Sequence, residues 1–182
     1  MVGQPQYVAQ FARQQSLCFL SEGDYRVYLS FLSEISRSFD CRVHAYVLMR
    51  DRIHLLLTPM LEHGMVCLMQ ALARCYVRYC NGVRNRTGAL WEGSYQADRL
   101  KGERRVLAWY FNIESIPVRA GVVKAPGDYP WSSHHFNGYG ASDRLVVPHS
   151  EYMSLGTDPQ GRRSAYRSLF AAAKRRLRSR LL

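Results

Sequence analysis

Most of the chemistry available to this chain is basic. Arg162 to Leu182 contains eight Lys or Arg and no acidic residue, whereas the preceding 161 residues carry only +3 of the +11 net charge. A concentrated excess of this kind favours a polyanionic partner, either nucleic acid or an anionic membrane. Further arginines stand at Arg74 and Arg78, one helical turn apart, and at Arg84 and Arg86. Guanidinium groups make paired contacts to phosphate and guanine, and aromatic side chains can stack unpaired bases. Groups for metal or acid–base work are sparser. His134 and His135 are adjacent and expected in a loop. Cys18, Cys41, Cys67, Cys75 and Cys80 are odd in number and form no C-x-x-C pair. That argues against a disulfide framework or structural zinc, and for small core residues in a reducing compartment.

The elements that must position these groups can be read from periodicity. An apolar fraction of 47% in 182 residues supports one domain, or one domain with an extension. Met1 to Gln10 is polar and mixed, and no apolar run reaches membrane-spanning length, so a cytoplasmic bacterial protein is expected. Gln6–Gln10 alternates weakly as a strand. Ser21 and Asp24 form a capping-box pattern ahead of a helix whose apolar face is Tyr25, Tyr28, Leu32, Ile35 and Phe39. Cys41–Met49 and Ile53–Thr58 read as the strands of a hairpin closed by Pro59. A second helix spans about Gly64–Val83, with Val66, Met69, Ala73, Tyr76 and Cys80 as its buried stripe. Tyr95–Leu100 reads as a strand and Glu103–Glu114 as a helix with Val106, Tyr110 and Ile113 on one face. Asp128–Gly140 reads as an aromatic loop. Tyr166, Phe170, Ala173, Leu177 and Leu181 make one stripe of a basic amphipathic helix that also carries Arg163, Arg167, Lys174 and Arg178. The order predicts an α+β, ferredoxin-like split βαβ domain, an antiparallel sheet with helices on one face, plus a C-terminal basic helical extension. The expected division is 1–140 for the domain and 141–182 for the extension.

Five stretches, read together, carry a resemblance: His44–Met49 (HAYVLM), Ile53–Pro59 (IHLLLTP), Thr87–Gly93 (TGALWEG), Pro117–Val123 (PVRAGVV) and Asp128–Ser133 (DYPWSS). In this order and spacing they resemble the HUH-type single-tyrosine transposases of small bacterial insertion sequences, in particular the branch associated with repetitive extragenic palindromes. The similarity runs from about Gln4 to about Tyr166. The resemblance implies a metal-dependent single-stranded DNA nuclease and strand transferase. Two histidines at i and i+2 of a strand share a face. With a third ligand from a helix they hold Mg or Mn against the scissile phosphate. A tyrosine one helical turn before that ligand attacks the phosphorus.

This sequence departs from the pattern at those places. The family's His-hydrophobic-His falls on Arg52-Ile53-His54, and its Tyr-Ile-Glu-Leu-Asn-Pro falls on Asn112-Ile113-Glu114-Ser115-Ile116-Pro117. The nucleophile position is therefore Asn112, and the metal-site positions are Arg52, His54 and Ile116. Arginine repels a cation, isoleucine has no donor atom, and asparagine is no nucleophile for phosphoryl transfer. No intact catalytic set and no metal or other cofactor is expected. Tyr110, two residues before Asn112, is about 200° around the helix and expected in the core. Asp51 is the nearest carboxylate, and faces away from Arg52 and His54 if the strand has already begun. Glu114 falls on another face of its helix than Asn112. Arg52 is expected to meet a DNA phosphate in place of the ion.

The resemblance implies a DNA-binding protein that grips single-stranded palindromic hairpins, with cleavage and strand transfer lost. Arg52, Arg74, Arg78, Arg84, Arg86, Arg119, Arg163, Arg167, Lys174 and Arg178 are its candidate contacts. The alternatives are an active transposase with a relocated nucleophile and metal site, and a non-catalytic interaction module. Either a monomer or a homodimer is compatible with the resemblance, and no membrane partner is expected. Gln10–Leu17 departs from the Arg/Asn-rich segment with which the family reads the nucleotides flanking the hairpin.

Overall fold

The computed structural model describes residues 2–99 and 106–178; for Gln15, Arg99 and residues 172–178 the backbone alone is described. Four strands, β1 (Gln6–Phe11), β2 (Cys41–Met49), β3 (Arg52–Pro59) and β4 (Gln96–Arg99), form an antiparallel sheet in the order β2-β3-β1-β4. Helices α1 (Glu22–Ser38) and α2 (Gly64–Val83) make the two crossovers, and α3 (Val106–Glu114) follows β4. This is the ferredoxin-like α+β arrangement expected from the element order.

The sheet is apolar on both sides because both sides are covered. Val8, Val43, Tyr46, Leu48, Ile53, Leu55 and Leu57 pack with α1 and α2 in one core. Ala45, Val47, Met49 and Leu56 pack with α3 and with Tyr129, Tyr152 and Tyr166 in a second. The expectation of helices on one face thus describes α1 and α2 only. The other face receives α3, α4 (Ile116–Arg119), α5 (His134–Tyr139), α6 (Ser150–Met153) and α7 (Pro159–Arg178). The pairing of β2 with β3 has a register shift between Val43 and Ala45. Strand side chains alternate, so Val43 would share a face with Ala45; the bulge at His44 turns it into the first core instead.

Local chemistry explains the element ends. Ser21 Oγ accepts from Asp24 N while the Asp24 carboxylate accepts from Ser21 N, so the capping box is formed. The buried stripe of α2 is Leu68, Met69, Leu72, Tyr76 and Cys80. Val66 was expected on it but is exposed, about 90° from the stripe's centre at 100° per residue. Leu100 and residues 103–105, expected in β4 and α3, lie outside the described residues. The Asp128–Gly140 segment contains the short helix α5, so His134 and His135 are helical rather than in a loop. Gly140 ends it in the left-handed conformation (φ 76°) that glycine adopts most easily. Cys18, Cys41 and Cys80 are buried as expected, whereas Cys75 is exposed.

Candidate nucleic-acid interface

The strand register brings Arg52 and His54 onto the α3 side of the sheet, beside Phe11 and Ala9 of β1 respectively. His54 is 6% exposed. Its Nδ1 lies 2.7 Å from the Tyr7 hydroxyl, and Tyr7 stacks on Trp109 of α3 with centroids 4.4 Å apart. Phe11 meets the imidazole edge-on. Burial, and then the charges of Arg52 and Arg119, hold the His54 pKa down to about 3. The imidazole is therefore neutral at pH 7, under the charge of two guanidinium groups. Its Nε2 is buried without a hydrogen-bond partner, as is Nε of Arg52.

Two helices supply the other half of the site. Asn112 is exposed near the end of α3, and its carbonyl accepts a 2.8 Å bond from Arg119 Nη2 at the end of α4. Ile116 begins α4. Pro117 is tolerated in the first turn of α4, where its missing N–H costs nothing. Asp51 sits in the turn before β3, so strand alternation does not govern its direction. Its carboxylate lies 3.7 Å from Arg52 Nε, a loose contact at the surface. Asp98 of β4 is opposite Tyr7 and raises its pKa, behind the larger effect of burial.

This donor set does not fit a divalent cation. Mg and Mn want several oxygen ligands, and among the described residues no three His, Cys, Asp or Glu side chains converge. The two arginines beside His54 would repel the ion. Tyr110 offers no replacement nucleophile: it is fully buried, its oxygen accepts from His149 N, and burial raises its pKa far above the usual value.

Residues 11–110 match the family model described as "Transposase IS200 like". The chain belongs to this transposase family. No curated protein matches it in sequence. Among solved structures, it is similar to a REP-associated tyrosine transposase bound to a REP hairpin. The TM-score is 0.67 and the identity 15%, over 82% of this chain and 88% of that one. It also resembles a putative transposase from Deinococcus radiodurans R1, with TM-score 0.45 and 20% identity, over 59% of this chain and 85% of that one.

In this IS200-like chain the expected arginines do not form one patch. Arg74 and Arg78 are exposed on α2, and the sheet lies between them and His54. Arg84 was expected to meet DNA, but its guanidinium is spent inside the protein. It pairs with Asp24 at 2.9 Å and donates to the carbonyls of Leu17 and Cys18. Arg86 donates to Ala89 O. Arg167 donates to Gly138 O at 2.6 Å and lies over the Tyr139 ring, while Arg163 packs on Gly140. Lys174 and Arg178 lie on α7, but their side chains are outside those described. Arg52 and Arg119 are the two whose charges both act on His54. Tyr7, Phe11 and Trp109, which frame the site, were not singled out in the sequence; the weak alternation of β1 was the available signal for Tyr7. Among the described residues no helix is long and apolar enough to cross a membrane.

Glu114, two residues after Asn112, is fully buried. Its Oε1 accepts from Ser133 Oγ (2.6 Å) and Asn137 Nδ2 (2.8 Å), and its Oε2 from His134 Nδ1 (2.6 Å) and Tyr166 OH (2.7 Å). Both oxygens are saturated. The carboxylate thus ties α3 to α5 and α7, and holds the helix that presents Asn112.

Proposed function

We propose that this IS200-like protein binds single-stranded hairpin DNA and does not cut it. The observation that carries this reading is a buried, neutral His54 under the charges of Arg52 and Arg119, with Asn112 at the neighbouring helix end, bonded through its carbonyl to Arg119. A surface of this kind attracts phosphate and offers neither a metal site nor a nucleophile. The solved relative bound to a REP hairpin supports the choice of DNA. The basic excess of the C-terminal segment supports a polyanionic partner. Residues 1–140 act on this reading as the transposase-like domain and 141–182 as its extension. Residues 141–170 of that extension pack on the domain, because Tyr152 and Tyr166 are buried in the second core.

The deciding experiment uses a labelled single-stranded hairpin from the protein's own genome, with manganese, on a denaturing gel. The native chain is compared with one carrying Arg52→His, Asn112→Tyr and Ile116→Asn together, and a gel shift at low salt is run for both. The native chain should shift the hairpin and give neither cleavage nor a covalent adduct. An adduct on the native chain would overturn the reading.

A further inference from the structure

We propose that Arg52, Arg119 and His54 form an oxyanion clamp that takes a DNA phosphodiester where a metal ion would otherwise sit; the proposal rests on the DNA-binding reading above. Two elements contribute three residues. Arg52 is the first residue of β3, His54 is two residues on along the same face, and Arg119 ends α4. The hydrogen bond from Arg119 Nη2 to Asn112 O fixes the direction of its guanidinium. The charges of both arginines act on Tyr7 as well as on His54.

The polar atoms there are poised for a ligand. His54 Nε2 and Arg52 Nε are buried and have no hydrogen-bond partner. Buried polar atoms of this kind are costly unless something satisfies them. In the tautomer in which the Tyr7 hydroxyl donates to Nδ1, Nε2 carries an unpartnered N–H. Two guanidinium groups and one imidazole N–H are then all donors, which suits a phosphate oxygen. Among the described residues the acids nearby are Asp51, 3.7 Å from Arg52 Nε and half-exposed, and Asp98, on β4 opposite Tyr7. A phosphodiester that accepts from both arginines outcompetes the loose contact to Asp51. The clamp would hold the strand at the position where the family resemblance puts the scissile phosphate, but with fixed protein charge.

The test is by NMR on the full chain with ¹⁵N-labelled histidine. Inorganic phosphate should shift the His54 imidazole signals saturably. Arg52→Gln and Arg119→Gln should each weaken that binding at least tenfold, and Arg52→Lys, which keeps the charge, should retain most of it. Manganese should not selectively broaden the His54 signals. A single-stranded hairpin oligonucleotide should perturb the same signals, and each Gln variant should lower the salt slope of its binding by about 0.7. Absence of a phosphate effect, or selective broadening by manganese, would overturn the clamp. Oligonucleotide binding with an unchanged salt slope in both Gln variants would also overturn it, yet leave the DNA reading standing. A phosphate response without oligonucleotide binding at low salt would overturn both the DNA reading and the assignment to a phosphodiester.

Discussion

Removing the Glu114 carboxylate should unlatch the C-terminal helices from the sheet. Four donors converge on it from Ser133, His134, Asn137 and Tyr166, at 2.6 to 2.8 Å. Hydrogen bonds to a charged group contribute about 1.5–3 kcal/mol each, and stripping one partner from a buried charged network costs about 3–5 kcal/mol. These terms are not additive, so Glu114→Ala should destabilise the fold by about 3–5 kcal/mol. With a urea dependence of about 2 kcal/mol per molar, the midpoint should fall by roughly 2 M. Glu114→Gln keeps the volume but turns an acceptor into a donor that faces two other donors, so it should also destabilise strongly. Tyr166→Phe removes one donor of the four and should cost less, about 1–2 kcal/mol. The double variant should cost less than the sum of Glu114→Ala and Tyr166→Phe, because Tyr166 loses its partner in either case. Equilibrium urea unfolding followed by tryptophan fluorescence reads all four. A loss below about 1 kcal/mol for Glu114→Ala would show that the network is not the latch described.

Other consequences can be measured in the same way. His44 is 2% exposed and its pKa is lowered to about 4, chiefly by burial, so it is neutral in the fold. The unfolded chain binds a proton more readily between about pH 4 and 6.5, so stability is full above that window and falls as pH drops through it. The loss from His44 should be about 2 kcal/mol at pH 5; His44→Gln should flatten the urea midpoint's pH dependence by that amount. Arg84→Met should cost about 2–3 kcal/mol by thermal or urea unfolding, since it strips the buried Asp24 carboxylate of its cation. Arg74→Ala and Arg78→Ala should stay within about 0.5 kcal/mol. Ser21→Ala should cost about 1 kcal/mol through the lost helix cap.

The elements were legible because they are written in local patterns. The capping box at Ser21 and Asp24 starts α1, the apolar run of Ile53–Thr58 is a strand buried on both faces, and Tyr110 sits in the core as its helical phase required. The family was legible because short motifs kept their order along the chain. Val66 and α5 depart from the sequence pattern for two different reasons. A periodicity argument fixes phase only to within a quarter turn, and His134–Tyr139 is too short to show a period at all.

Charge was the part that sequence could not sort. Arg52, Arg84 and Arg119 are alike on paper, one cation each in a basic chain. Their roles depend on what lies opposite across the fold. Arg84 meets Asp24 from another helix and becomes a structural ion pair. Arg119 and Arg52 come from different elements, and the charge of each acts on His54. The sequence by itself determined the strand and helix order, the family, and the residue types at the positions where a nucleophile and metal ligands would be expected. Only the tertiary structure decided which arginines are spent on the protein and which remain to face a ligand, because pairing of charges is set by distances between segments that are remote along the chain.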